Sequence, residues 1–169
     1  INDLSINKNT LMEISDAYQK FYEDASSSNP DRYDALRNKS KLLAYHLNQP
    51  ELAIKILEDL KDLSGMNRKS LSYVKMDLAN INMIVGNHWE ASLLYSQIEK
   101  ENTYMSIGYE AKLENARCHY FMNNFNLAKA HLDILKRSTT KVIANDALAL
   151  SLFIEANTIG DSIELALKQ

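Results

Sequence analysis

The chain has 169 residues, of which 46% are hydrophobic and 24% charged, a balance typical of a folded protein rather than a disordered one. Its net charge of −3 argues against a nucleic-acid-binding protein, because no excess of cations attracts phosphate. Only four Gly and two Pro are present, too few turn-forming residues for an all-β fold with many hairpins. Helices are therefore expected.

Cysteine content and hydropathy exclude further classes of protein and of metal site. Cys118 is the single cysteine, which rules out an intramolecular disulfide and a cysteine-based zinc site. No apolar run is long enough for a membrane span, so no direct membrane insertion is expected. The sequence begins at Ile1 without a secretory signal, from which we expect a fragment of a longer protein or a mature secreted chain. Both a cytoplasmic and a periplasmic location are compatible with these features.

Helical spacing of apolar residues runs along most of the chain. Near the N-terminus, Leu11, Ile14 and Phe21 fall on one helical face. Longer helical stretches are predicted at 31–47, 68–85, 104–122 and 141–156. Each of the first three leads into a segment that consists of a polar turn and a shorter helix, at 47–61, 85–100 and 122–136 respectively.

The three shorter helices share one small residue. Ala53, Ala91 and Ala128 each follow the polar turn, and they are spaced 38 and 37 residues apart. Larger apolar residues follow each alanine on the same helical face. Ala79 and Ala116 occupy matching positions in the longer helices that precede Ala91 and Ala128. We expect helix backbones to approach each other closely where these small residues face one another.

This periodic pattern, with Gly86 in the turn before Ala91, resembles the tetratricopeptide repeat (TPR), a helix–turn–helix unit of about 34 residues. The period here is longer, and the proline that ends each unit of that family is missing. The resemblance implies an all-α, right-handed α-solenoid of antiparallel helix pairs, although another type of α-solenoid also fits. The implied repeat-packing residues are Ala53, Ala79, Gly86, Ala91, Ala116 and Ala128.

The resemblance also implies a division of the chain into three to four repeats. An N-terminal helix over 1–29 packs on the array. Repeats follow at 30–65, 66–103 and 104–138, and a degenerate or partial repeat occupies 139–169. The apolar stripe near the end of the chain predicts that the parent protein continues beyond it.

No motif in the sequence supplies catalytic chemistry. The four glycines are isolated, so no phosphate-binding loop is present. The four histidines include no pair four positions apart on a helix, and Cys118 is interpreted as a small buried side chain. We therefore expect no enzymatic activity, no metal site and no cofactor.

A binding groove is the better hypothesis. In a TPR-like solenoid the first helices of successive repeats line a concave surface that accepts an extended peptide or a partner helix. Amide and tyrosine side chains suit such recognition, yet a partly buried or solvated face without a ligand fits the same pattern. The candidate groove residues are Asn38, Tyr45, Tyr73, Asp77, Asn80, Glu110, Glu114, Arg117 and Tyr120.

The functional hypothesis is a non-catalytic protein–protein interaction scaffold, which the resemblance places in a bacterial multi-repeat protein. The alternative is a regulatory or sensory repeat arm of a larger protein whose enzymatic or DNA-binding domain lies outside this segment. Some TPR proteins hold a carboxylate terminus with basic groove residues, but Asp77, Glu110 and Glu114 replace those bases here and would repel such a ligand.

Overall fold

The computed structural model describes residues 7–137 and 141–167, with side chains up to residue 158. Over these ranges the chain forms eight α-helices and no strand, which confirms the all-α prediction. None of these helices has the length and apolar character needed to cross a membrane. The helices are α1 Lys8–Asp24, α2 Asp31–Tyr45, α3 Pro50–Lys61, α4 Arg68–Ile84, α5 His88–Glu101, α6 Ser106–Phe121, α7 Phe125–Leu135 and α8 Lys141–Leu167.

Helix ends follow local sequence rules. The Asn67 side chain accepts a hydrogen bond from the Ser70 N–H at 2.8 Å and so caps the N-terminus of α4. Asn7 caps α1 in the same way through the N–H of Asn9. Pro50 is the first residue of α3, where its missing N–H leaves no hydrogen bond unmade.

The turns that separate the longer from the shorter helices share one backbone conformation. Asn48, Gly86 and Asn123 all have positive φ, at 54°, 84° and 60°. Asparagine and glycine are the residues that adopt this left-handed conformation most readily, and it commonly ends a helix. Their spacing repeats that of Ala53, Ala91 and Ala128, so each left-handed residue precedes its alanine by the same interval.

The chain divides into two compact units, an N-terminal unit (residues 1–87) and a C-terminal unit (residues 88–169). In the N-terminal unit α2 contacts α1, α3 and α4, and α3 contacts α4. In the C-terminal unit α6 contacts α5, α7 and α8, and α7 contacts α8. The same sequential pattern of neighbours thus occurs in both units, and it fits a repeat-like packing.

The division between units falls inside the predicted repeat at 66–103. The predicted boundary between the third and fourth repeats, at residues 138–139, lies outside the described residues. The repeat limits therefore stay predictions.

Buried alanines line the cores of both units. Ala53 and Ala79 in the N-terminal unit, and Ala91, Ala116 and Ala128 in the C-terminal unit, are all fully buried. One apolar cluster joins three helices of the C-terminal unit, with Leu113 and Ala116 from α6, Ala128, Leu132 and Leu135 from α7, and Ile143, Ala147 and Ile154 from α8.

Two features hold α5 against α6. Asn115 on α6 is fully buried, accepts a hydrogen bond from the Ser92 hydroxyl at 2.8 Å, and donates one to the Ser96 hydroxyl at 3.0 Å. At the start of α6, a Cβ on Gly108 would overlap the backbone carbonyl of Asn102. The two helices therefore approach closely at the turn, and buried polar bonds align them further along.

Candidate functional site

The groove residues predicted for the N-terminal unit converge mainly where α2 meets α4. Tyr45, Tyr73 and Asp77 lie together there with two residues that the sequence interpretation did not include, Arg37 and Lys41. We call these five residues the α2–α4 cluster.

A buried carboxylate forms the centre of the α2–α4 cluster. Asp77 is 5% exposed, and its two oxygens accept from Arg37 Nε at 2.7 Å and Lys41 Nζ at 3.1 Å. Arg37 also pairs with Asp34 on its own helix, at 2.6 Å. The predicted groove residue Asp77 is thus committed to ion pairs within the protein, and it positions the two cations of α2.

Two half-exposed tyrosine rings border this carboxylate. The Arg37 guanidinium lies 4.9 Å from the centre of the Tyr73 ring, a cation–π contact that orients the ring. Burial and the nearby charge of Asp77 raise the pKa of Tyr45, so its hydroxyl stays protonated and able to donate. Tyr73 and Tyr45 are 37% and 45% exposed, which leaves apolar ring surface open to a partner.

The two predicted asparagines are placed differently. Asn80 is half-buried one turn after Asp77 on α4. Asn38 is exposed and lines a separate cavity of 510 Å³ between α1 and α2, with Ile14 and Phe21 among its apolar walls. The structure therefore brings Asn38 to the edge of a groove formed with α1, which the sequence interpretation did not identify.

In the C-terminal unit the predicted residues lie along α6. Glu114 pairs with Arg117 at 2.7 Å, and the exposed Glu110 accepts from the Ser106 hydroxyl at 2.8 Å. Burial raises the pKa of Glu114; Arg117 opposes this shift, while Asp146 on α8 and Glu110 add to it. Three carboxylates thus face one guanidinium, so this surface has an acidic excess.

Tyr120 marks the aromatic end of the same surface. Its ring lies 5.6 Å from Phe153 on α8 and 5.7 Å from Phe125 on α7, measured between ring centres. Phe153 is 53% exposed. We call Glu110, Glu114, Arg117, Tyr120, Asp146 and Phe153 the α6–α8 face. Of these, Asp146 and Phe153 were not predicted, because α8 was not assigned inner positions.

Two histidines that are distant in the sequence meet between α6 and α7. The ring centres of His119 and His131 are 5.5 Å apart, and the Nδ1 atom of each is buried without a hydrogen-bond partner. Burial lowers the pKa of both imidazoles. Within the described part of the chain, no group of three or more His, Cys, Asp or Glu side chains has the arrangement of a metal site.

Cys118 is fully buried, and its thiol donates to the backbone carbonyl of His88 at 2.9 Å. Burial raises the pKa of this thiol to about 11, which opposes formation of the nucleophilic thiolate.

No family model matches the chain, and neither a search of curated proteins nor a search of solved structures finds a match.

Proposed function

We propose that this protein is a non-catalytic protein–protein interaction scaffold, built as a TPR-like, right-handed α-solenoid. Each unit carries its own candidate binding surface, the α2–α4 cluster in the N-terminal unit and the α6–α8 face in the C-terminal unit, and each surface binds a peptide or a helix of a partner protein. The recurrence of a left-handed residue before each buried alanine, at Asn48, Gly86 and Asn123, supports the repeat architecture.

The observation that carries the proposal is the anchoring of one partly exposed aromatic ring, that of Tyr73, by charged groups. Tyr73 is oriented by Arg37, which is itself held by the buried Asp77. Aromatic side chains that are already ordered lose little entropy on binding, and tyrosine is enriched among the residues that dominate interface energies. The α2–α4 cluster therefore offers the partly exposed ring of Tyr73 at a reduced entropic cost of ordering.

The α6–α8 face supports a partner of defined chemistry. Its acidic excess favours a segment that carries lysine or arginine, and its exposed Phe153 ring favours an apolar neighbour in that segment. Such a segment has the composition of a basic amphipathic helix or peptide.

A capture experiment tests the proposal. The bait is the triple variant Tyr73→Ala/Asn80→Ala/Arg117→Ala, compared with wild type in a lysate of the cells that produce the protein. A matched triple variant, Arg68→Ala/Trp89→Ala/Asn126→Ala, removes an arginine, an aromatic ring and an amide from other exposed positions. Circular dichroism and thermal unfolding establish that all three proteins are equally folded.

We expect the same partner to be captured by wild type and by the matched variant, and to be lost with the first triple variant. Raising the salt concentration should weaken capture, because part of the attraction is between exposed charges. Equal capture by all three proteins would contradict the proposed binding surface.

A further inference from the structure

The C-terminal unit contains a cavity on the side of α6 that faces away from the α6–α8 face. Its volume is 660 Å³, within the range of small-molecule sites, and residues of α5, the turn to α6, α6 and the end of α7 line it. Lys112 lines the cavity, whereas Glu110 belongs to the α6–α8 face. Side chains two positions apart on a helix point in directions that differ by about 200°, so Lys112 and Glu110 lie on opposite sides of α6 and the two sites are separate.

Apolar surface forms part of the lining. Tyr104, Tyr109 and Ile134 all lie at the cavity. Tyr104 is 87% exposed and Ile134 is 58% exposed, so both present large apolar groups that no described part of the chain covers. A flat apolar molecule could contact all three side chains.

The turn that carries Tyr104 has an unusual backbone. Tyr104 has φ of 69°, a left-handed conformation that residues with a bulky side chain rarely adopt. The adjoining turn is fixed by a hydrogen bond from the Met105 N–H to the Asn102 carbonyl, at 3.0 Å. The fold thus holds the exposed Tyr104 ring at the edge of the cavity, although the backbone conformation at this residue is one that tyrosine disfavours.

The charges around the cavity are unbalanced. Glu99 is paired with Lys112 at 2.8 Å, so these two neutralise each other. Lys100 and Arg137 also line the cavity, both are exposed, and neither forms an ion pair with any described residue. Two uncompensated cations therefore remain beside the tyrosine rings.

We propose that this cavity binds a small organic anion, a molecule with an aromatic or aliphatic body and a carboxylate, sulfonate or phosphate group. Lys100 and Arg137 contact the anionic group, and Arg137 can do so with two parallel hydrogen bonds. Tyr104, Tyr109 and Ile134 contact the body. The inference is independent of the partner-binding surface, since none of these residues belongs to it.

Two fluorescent probes of nearly equal shape test the inference. The first, 1-anilinonaphthalene-8-sulfonate, carries a negative charge, and the second, N-phenyl-1-naphthylamine, is the same ring system without the sulfonate. Each is titrated into folded wild type, into Lys100→Gln/Arg137→Gln, into Tyr104→Ala, and into Lys55→Gln/Lys69→Gln. The last variant removes two exposed lysines from the N-terminal unit and is the matched control for net charge.

We expect wild type to bind one sulfonate probe saturably, and Lys100→Gln/Arg137→Gln to bind it about tenfold more weakly because two charge-assisted contacts are lost. The neutral probe should bind this variant and wild type equally. Tyr104→Ala should weaken the binding of both probes, and Lys55→Gln/Lys69→Gln should bind as wild type does.

Two results would overturn the inference. In the first, Lys100→Gln/Arg137→Gln binds the sulfonate probe as tightly as wild type. In the second, the control Lys55→Gln/Lys69→Gln loses as much affinity as Lys100→Gln/Arg137→Gln. Either result would mean that the probe responds to exposed apolar surface or to net charge rather than to this cavity.

Discussion

Arg37 on α2 donates through Nε to Oδ2 of Asp77 on α4, at 2.7 Å, while the same guanidinium lies over the ring of Tyr73. The side chains of Arg37 and Asp77 are 13% and 6% exposed, so this ion pair is largely removed from water. It joins two helices that are neighbours in space although α3 separates them in the chain. Stability and the shape of the candidate binding surface therefore depend on the same contact.

Replacing Asp77 by asparagine should destabilise the protein strongly. The change removes the carboxylate that pairs with both Arg37 and Lys41, while Arg37 keeps its pair with Asp34, and losing charge-assisted hydrogen bonds of this kind costs about 1.5–3 kcal/mol. Urea unfolding measures the free energy. The control is Asp133→Asn, which removes an exposed pair with Lys136 and should cost less than about 1 kcal/mol. Equal losses in both variants would contradict the structural role of Asp77.

The close packing predicted at the turn alanines can be tested on α7. Ala128 is fully buried, so Ala128→Leu should overpack the cluster and lower the free energy of unfolding by about 1–3 kcal/mol. Ala130 is exposed on the same helix, and Ala130→Leu should leave stability nearly unchanged. If both variants are as stable as wild type, the alanines do not mark a close approach of helices.

Gly108→Ala should destabilise the protein although the residue is helical. In an open helix this substitution gains about 1 kcal/mol of helix propensity. Here the new Cβ would overlap the Asn102 carbonyl, a backbone group that cannot move aside without shifting the turn. Gly86→Ala is the comparison, because its Cβ meets open space and only its left-handed φ opposes the change, at about 1–2 kcal/mol. A gain in thermal stability for Gly108→Ala would contradict the close approach of α5 and α6.

The His119–His131 pair should make stability fall as the solution becomes acidic. Burial holds the pKa of both imidazoles below the usual value of 6.5, so the unfolded chain binds more protons than the folded one as the pH falls through 6.5. Each extra proton bound by the unfolded chain lowers the free energy of unfolding by up to about 1.4 kcal/mol per pH unit. Urea unfolding at pH 7.5 and pH 5.5 measures the loss.

The matched variants for this prediction are His131→Asn and His46→Asn. The first removes one member of the pair and should reduce the loss of stability between the two pH values. The second changes an exposed histidine on the other unit and should keep the wild-type dependence. Charges near His131 also include Glu99 and Lys112, but their mutual ion pair is present in every variant. An unchanged pH dependence in His131→Asn would show that the pair is not responsible.

Helices and turns could be predicted because their determinants are local. Apolar spacing marked the helices to within a few residues, and the polar turns before the alanines contain the left-handed residues Asn48, Gly86 and Asn123. The one long discrepancy is α8, predicted over 141–156, which extends to Leu167.

The candidate site was less predictable because its contacts join separate helices. Counting positions along one helix cannot show that Arg37 and Lys41 reach Asp77, about 40 positions later in the chain. A search for histidines four positions apart likewise cannot detect His119 and His131, which come from different helices. The sequence still contained one signal, the types of charge: two cations lie one turn apart on α2, at Arg37 and Lys41, and Asp77 is the single carboxylate of α4.

Asn115 has a consequence for assembly of the α5–α6 hairpin. Its single carboxamide engages the hydroxyls of Ser92 and Ser96, which lie one helical turn apart on α5, as acceptor to one and donor to the other. If either helix slid or rotated by one residue, both bonds would be lost at once and a carboxamide would be stranded in an apolar interior. Apolar side chains can pack in several such alignments of α5 and α6, whereas the two hydrogen bonds of Asn115 form in only one alignment.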